Sequence, residues 1–147
     1  MKLQTKFQDT VEINESDILH FEQGLPGFEE ETQFILMPMD GTPFSILQSA
    51  TTPELAFVTA DPFVFFKNYD FELSLTDQEH LQVNKASDVF VQVIVTVADI
   101  FEKSTANLQA PLIINREQNR GKQVVLTDSK YLSRHLLTEN KLVGQEG

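Results

Sequence analysis

The sequence contains no cysteine, and this absence excludes several kinds of site at once. Without a thiol the chain has no disulfide framework, no thiolate ligand for a metal and no cysteine nucleophile. It also has no apolar run approaching the roughly 20 residues that span a bilayer, and residues 1–10 lack the apolar core of a signal peptide. We therefore expect a cytoplasmic protein that does not enter a membrane.

Basic residues are missing from a long N-terminal stretch. Between Phe7 and Phe66 there are eleven acidic residues and no lysine or arginine. Residues 1–80 carry fifteen acidic and three basic side chains, a balance of −12, whereas residues 81–147 carry seven and eight, a balance of +1. A surface of that sign repels phosphate backbones. The charge disfavours direct nucleic-acid binding and suits a basic protein partner, although excess acid also serves solubility alone.

Signatures of catalysis are also lacking. The patterns HExxH, GxSxG and GxGxxG and the Walker lysine loop do not occur. The three histidines, His20, His80 and His135, stand 60 and 55 residues apart, without a close ligand pair. We therefore predict no enzymatic activity, no metal and no cofactor. A hydrolase would require two of these histidines and an acid to converge in the fold.

The apolar residues that are present predict one folded domain over residues 1–147. The hydrophobic fraction of 41% is normal for a soluble protein, and twelve phenylalanines between Phe7 and Phe101 supply most of the large core side chains. A chain of 147 residues is the size of an ordinary single domain.

Short alternations of apolar and polar residues, separated by turn residues, indicate an all-β protein. The clearest strand is 88–98, which is apolar on both faces and therefore central. We expect mostly antiparallel strands forming a two-sheet sandwich or pseudobarrel, with one or two short helices. The predicted strands are 3–7, 10–13, 18–21, 33–37, 44–48, 55–59, 88–98, 108–114 and 122–127.

Other local patterns predict helices and turns. Thr76 and Glu79 fit a capping box that opens a short helix through Leu81, whereas 129–137 suits a helix or a strand. The segments 61–63 and 68–70 read as loops, 115–121 as a hairpin loop, and 144–147 as a frayed end. We expect Pro111 to mark an edge strand or a bulge.

Residues 24–30, GLPGFEE, combine a turn with a possible contact surface. Pro26 and Gly27 suit the second and third positions of a type II turn, because proline fixes φ and glycine accepts positive φ. Phe28 and the glutamates that follow leave this turn together. They read either as a solvated loop or as an acidic, aromatic rim offered to a partner.

Four segments occur together in one order: GLPGFE at 24–29, LQS at 47–49, PELAFVTADPF at 53–63 and TANLQAPLIIN at 105–115. In this order they resemble the FliW family of bacterial flagellar assembly factors. The resemblance covers nearly the whole chain, and TANLQAPLIIN is its most specific part.

The resemblance implies a non-enzymatic regulator with two protein partners, the translational repressor CsrA and flagellin, and we expect a monomer when neither is bound. Flagellin's amphipathic terminal helices need an apolar groove, which exposed members of the set Phe28, Phe63, Phe65, Phe66 and Tyr69 would line. The alternative reading is a small-ligand-binding β-barrel with a phenylalanine-lined cavity. The candidate partner-binding residues are Phe28, Glu29, Glu30, Glu31, Asp61, Tyr69 and Asp70.

Overall fold

A computed structural model of the chain describes residues 1–127 and 130–138, which form short strands and two short helices. Helix α1 covers Pro62–Phe65 and helix α2 covers Leu75–Leu81. Among the described residues, no helix has the length and apolar character needed to cross a membrane. The strands are β1 (Lys2–Leu3), β2 (Val11–Glu12), β3 (Leu19–His20), β4 (Gln33–Pro38), β5 (Phe44–Ser49), β6 (Ala56–Ala60), β7 (Val89–Thr96), β8 (Thr105–Ala106), β9 (Leu112–Asn115), β10 (Arg120–Gln123) and β11 (His135–Leu136).

Seven of these strands close into a barrel in the order β7, β6, β5, β4, β3, β10, β9 and back to β7. Every neighbouring pair is antiparallel except β3 and β10, which pair in parallel through His20 and Arg120. Strands β8 and β11 extend outward from β7, and β1 and β2 form a separate ribbon. The predicted all-β, mostly antiparallel class is confirmed, and the closed layout is the one observed.

Strand β7 makes the closure possible because it has paired neighbours on both sides, with β6 along 93–95. One side meets β6, while the other meets β9 along 89–92 and β8 along 95–96. Gln92 is 2% exposed and lies between Phe90 and Ile94 on the face opposite the valines of this strand. Its Oε1 accepts a hydrogen bond of 2.7 Å from the Thr59 hydroxyl, so the buried amide oxygen is satisfied. The predicted central position of this strand is confirmed.

The barrel interior is filled by side chains from facing strands. Phe21 and Phe34 are completely buried and pack edge to face, with ring centroids 5.3 Å apart. The same cluster contains Leu19, Leu25, Leu47, Leu112 and Ile114.

Gly121 lies in strand β10 rather than in the hairpin loop that we predicted. The left-handed conformation in that loop belongs to Asn119, at φ 53°. A Cβ at Gly121 would come within 2.4 Å of the Phe21 ring, so the strand carries glycine where that ring crosses it.

Helix α1 forms where we predicted a loop. The Asp61 carboxylate accepts a hydrogen bond of 2.9 Å from the Phe63 amide, and Pro62 occupies the first turn. Aspartate before proline is a helix-start signal, since the cap satisfies a free amide and proline at the first position loses no hydrogen bond. This signal was available in the sequence and the loop prediction was wrong.

Helix α2 was predicted, but Ser74 caps it instead of Thr76. The Ser74 hydroxyl accepts from the Asp77 amide at 3.1 Å. At the other end, the buried Asn115 amide donates to the carbonyls of Leu81 and Gln82 at 2.9 and 3.1 Å. The last residue of TANLQAPLIIN therefore ties this helix to the barrel, beyond its expected role in a turn.

Several strand boundaries also differ from the prediction. Strand β9 begins at Leu112, because the Asn107 side chain accepts from the Ala110 amide in a local turn and Pro111 has no N–H to donate. Pro111 marks neither an edge nor a bulge, since β9 is paired on both sides. In the segment 129–137, His135–Leu136 forms a strand rather than a helix. Ser129 and residues 144–147 lie outside the described residues.

We predict that Gly121→Ala lowers the free energy of unfolding by about 2 kcal/mol, because the new methyl group overlaps the Phe21 ring. Urea denaturation measures the loss. In the double variant Gly121→Ala/Phe21→Leu the smaller side chain relieves the overlap, so the double variant should be more stable than the sum of the single changes implies. Additive costs would contradict the steric explanation.

Candidate functional site

The predicted partner-binding residues fall into two groups at opposite ends of strand β6. Phe28 packs on Phe57, near the start of β6, whereas Asp61 follows the last residue of that strand. Four residues of extended chain separate Phe57 from Asp61, which is about 13 Å. Tyr69 and Asp70 lie on the Asp61 side, since the Tyr69 ring contacts Phe63 in helix α1. The seven residues therefore do not form a single site.

Residues 24–31, which we call the glutamate turn, begin with the predicted type II turn. The Phe28 amide donates to the Leu25 carbonyl at 2.7 Å, and Gly27 has φ +85°. Gly24 has φ +64°, and a Cβ there would lie 2.6 Å from backbone atoms of Phe28 and Glu29. With Leu25 buried beneath it, the turn is held in one conformation.

Glu31 acts as an internal clamp of this segment. Its carboxylate accepts hydrogen bonds from the hydroxyls of Ser49 at 2.5 Å and Thr52 at 2.8 Å, which lie at the end of β5 and in the loop after it. These bonds, first that of Ser49 and then that of Thr52, outweigh partial burial and hold the pKa of the Glu31 carboxyl below its usual range. Both oxygens of Glu31 are therefore occupied within the chain.

Gln48 fixes the loop beside the glutamate turn. The side chain is fully buried, and its Nε2 lies 3.0 Å from the Pro53 carbonyl and 3.2 Å from the Leu55 carbonyl. Its Oε1 accepts from the Lys6 amide at 2.9 Å. The LQS segment, whose Ser49 bonds to Glu31, thus braces the loop on which the turn rests.

The side chains of Phe28, Glu29 and Glu30 in the glutamate turn are exposed. Phe28 is 41% exposed and stacks edge to face on Phe57 at 5.6 Å, so its ring is held in place while one side stays accessible. Glu29 and Glu30 are exposed. The ion pairs found in 1–127 and 130–138 use Glu12, Glu22 and Asp77 as their acids, so neither glutamate is in an ion pair there, and Glu29 Oε1 accepts one hydrogen bond, from the Gly27 amide at 3.4 Å.

The second group contains one buried residue and two accessible carboxylates. Tyr69 is 4% exposed, its hydroxyl donates to the Leu108 carbonyl at 2.7 Å, and burial raises its pKa. Its ring supports Tyr131 at 4.6 Å, and the Tyr131 hydroxyl accepts from the Asp70 amide at 3.0 Å. Tyr69 therefore positions this region from inside, whereas the Asp70 side chain is exposed.

An open groove of about 850 Å³ runs beside Asp70. Glu72 and Asp77 join Asp70 along it, with Lys130 as a basic member. Sequence reasoning missed Glu72, because its proximity to the residues of 124–127 arises only from the fold. The groove adds a second acidic surface to the protein.

Two histidines and an acid converge, as the hydrolase alternative required, but around a very small space. His20, His80 and Glu22 border a cavity of about 20 Å³, room for about one water molecule. Arg120 pairs with Glu22 at 3.2 Å. No group of three histidine, cysteine, aspartate or glutamate residues within the described ranges is arranged to hold a metal ion.

The basic residues in and beside the predicted hairpin loop 115–121 have specific partners within the chain. Lys122 lies 2.7 Å from the Asp77 carboxylate and 2.8 Å from the His80 Nδ1. Burial alone would raise the pKa of Asp77, but hydrogen bonds from Lys122 and Ser74 hold that pKa below its usual range. The Arg116 guanidinium lies 4.4 Å over the Phe90 ring. These cations therefore bind groups within the same chain.

The small-ligand alternative requires a phenylalanine-lined cavity inside the barrel. Phe21 and Phe34 instead pack against each other and fill that interior. The glutamate turn and the acidic groove lie on the outside of the barrel and are open surfaces rather than enclosed cavities.

Comparison with known proteins gives one consistent result. The profile of a family described as FliW protein matches residues 2–137. The flagellar assembly factor FliW of Geobacillus kaustophilus is 50% identical over 142 residues, covering 97% of this chain and 99% of that protein. The protein of the same name from Bacillus subtilis is 48% identical over 136 residues, covering 92% and 95%.

A solved structure agrees with the sequence comparison. It is described as the crystal structure of the flagellar assembly factor FliW and superposes with a TM-score of 0.90 at 49% identity, covering 93% of this chain and 96% of that one. The similarity therefore includes the whole barrel and both groups of candidate residues.

We predict that Glu31→Gln destabilises the protein by about 1 kcal/mol at neutral pH, because the ionised carboxylate is the better acceptor for Ser49 and Thr52. The pKa of Glu31 is lowered in the folded state, so its stabilisation is present above the ordinary pKa of glutamic acid and is lost as the pH falls through the lowered value. Urea denaturation across this range should show the difference from the unmodified protein shrinking in acid. The matched control is Glu30→Gln, at an exposed position; an equal cost at both positions would contradict the clamp.

Proposed function

Because this chain belongs to the FliW protein family, we propose that it is a flagellar assembly factor that couples flagellin export to flagellin synthesis. Its two partners are the translational repressor CsrA and monomeric flagellin. Flagellin holds the factor until flagellin is exported; the released factor then binds CsrA and relieves repression of flagellin mRNA. The observation that carries this proposal is the near-complete match to proteins named flagellar assembly factor at about half identity.

On this proposal the protein acts in the cytoplasm by binding alone, as a monomer when free, without a cofactor and without contacting nucleic acid itself. Three basic residues near strand β10 support the proposal that the protein does not contact nucleic acid, because they bind groups within the chain. Arg120 and Lys122 bond to carboxylates of the same chain, and Arg116 lies over an aromatic ring. Phosphate binding requires basic side chains that are free to replace counterions.

We assign CsrA binding to the exposed part of the glutamate turn. An RNA-binding protein presents a basic surface, and Glu29 and Glu30 offer two carboxylates beside the exposed Phe28 ring. The rigidity of the turn lowers the entropy cost of binding, since Gly24, Leu25 and the Glu31 clamp hold the loop before the partner arrives. A central aromatic ring bordered by charge is a common composition for a binding hot spot.

The acidic half also suggests how RNA is displaced. Residues 1–80 have a balance of −12, and a body of that charge beside a phosphate-binding surface raises the local negative potential. RNA is then disfavoured without its site being filled. This effect acts over about a Debye length, roughly 8 Å at physiological ionic strength.

Isothermal titration with purified CsrA and with monomeric flagellin tests the proposal. We expect both to bind the protein and each to weaken the other's binding by the same factor, as thermodynamic linkage requires. Phe28→Ala and Glu29→Ala/Glu30→Ala should each weaken CsrA binding by about tenfold or more, the range of a hot spot. Glu79→Ala, at an exposed position on helix α2, is the matched control and should bind normally. Failure of the unmodified protein to bind either partner would overturn the proposal.

The electrostatic step has its own test, in which the displacement of RNA from CsrA is measured at increasing salt. We expect the displacement to weaken as salt rises, after correction for the salt dependence of RNA binding by CsrA alone. Neutralising Glu29 and Glu30 to glutamine should reduce that salt dependence. Displacement that is independent of salt would show that RNA is blocked by contact rather than by potential.

A further inference from the structure

Exposed apolar side chains also collect at the end of the barrel opposite the glutamate turn. They come from three connections: the β4–β5 hairpin, helix α1 and the chain between β7 and β8. The Phe44 ring joins these connections, because it contacts Phe65 at 5.6 Å and Phe101 at 6.1 Å. We call this surface the aromatic end; its members are Met39, Phe44, Phe65, Val97, Ile100 and Phe101.

Several side chains of the aromatic end are strongly exposed although they are apolar. Val97 is 56% exposed, Ile100 55% and Phe101 47%. Single exposed apolar residues need no explanation, whereas a contiguous group of them marks an interaction surface. Phe65 and Phe101 contact the Phe44 ring and the Met39 amide donates to the Phe44 carbonyl at 3.0 Å, so these four residues form a contiguous group, and Val97 and Ile100 lie in the same loop as Phe101.

The connection that carries most of this surface is rigid. Ser104 is fully buried, and its hydroxyl accepts from the Ala98 amide at 2.9 Å, which closes the loop between them. Within the loop, the amides of Lys103 and Ser104 donate to the carbonyls of Ile100 and Phe101, each at 2.9 Å. The apolar side chains are therefore presented on a preformed frame.

The backbone at this end is already paired, which restricts what kind of segment binds there. Strand β5 lies between β4 and β6, and the end of β7 lies between β6 and β8. An extended peptide can join neither β5 nor this end of β7, and the outer edge of β4 beyond Phe34 ends at Pro38, which has no N–H to donate. Recognition around Phe44 then uses side chains, and the segment best suited to that is a helix, whose own backbone groups are satisfied internally.

The charge of the three connections indicates which side chains a bound helix would carry. The three connections carry the carboxylates of Asp40, Asp61, Asp99 and Glu102, against one base, Lys103. A second copy of this acidic chain would be repelled, whereas basic residues beside an apolar stripe would be attracted.

We propose that the aromatic end docks an amphipathic helix whose apolar stripe is bordered by lysine or arginine. The inference rests on the proposed function for the protein that supplies the helix, which is monomeric flagellin. It assigns the two partners to different surfaces: CsrA to the glutamate turn and the flagellin helix to the aromatic end.

The test compares Ile100→Ser and Phe101→Ser with a control at an exposed leucine outside the aromatic end. Leu75, 77% exposed on helix α2, supplies the control Leu75→Ser. By isothermal titration we expect each aromatic-end variant to bind flagellin at least about tenfold more weakly, with CsrA binding changed by no more than about twofold. The control should bind both partners normally. Circular dichroism and urea midpoints establish that each variant is folded.

Normal flagellin binding by the folded variants would overturn the inference and leave the proposed function standing. Loss of CsrA binding, with flagellin binding unchanged, would have the same meaning. A second probe tests the surface without flagellin. It is a synthetic amphipathic helix with lysines beside its apolar stripe, compared with the same helix carrying glutamates at those positions. If the unmodified protein binds neither flagellin nor the lysine helix, both proposals are wrong. If it binds only the lysine helix, and Phe101→Ser abolishes that binding, the docking surface stands and the flagellin assignment is wrong.

Discussion

The fold depends on the double pairing of strand β7, which meets β6 on one side and β9 on the other and so closes the barrel. Closure gives each of the seven strands a paired neighbour on both sides. Both proposed contact surfaces are consequently built from turns and side chains at the ends of strands. The closure also brings β10 over Phe21, and Gly121 is the residue that lets the two approach.

The sequence predicted the fold class and most of the strands, because alternation of apolar residues reports directly on burial. The predicted strand 122–127 overlaps β10 only at its first two residues, and β8 was not predicted. The ends of strands and the first residues of helices were predicted less well, since they depend on single side chains. Asp61 with Pro62 began a helix that we interpreted as a loop, and Gly121 was interpreted as a turn residue although its size, not its φ, is what the structure uses. The bond from Asn115 to helix α2 joins residues 34 apart, which no local pattern reveals.

The candidate site was predictable to the same extent. The type II turn followed from Pro26 and Gly27, and Phe28, Glu29 and Glu30 are exposed beside it. Glu31, identical in type to its neighbours, points inward to hydroxyls 18 and 21 residues away that only the pairing of β4 with β5 brings near. The burial of Tyr69 likewise comes from long-range packing. A run of like charges therefore predicts an acidic segment without telling which carboxylates remain free.

The shortness of strand β6 bears on how the two proposed partners would share this protein. Only about 13 Å of strand separates Phe57 from Asp61, whereas a standard protein interface of about 800 Å² on each partner is about 30 Å across. Two partners of that size, centred on opposite ends of so short a strand, would compete for space around the barrel. Under the proposed function, exchange between them then needs no signal passed through the barrel, because the small size of the domain is enough to make the two partners exclude each other.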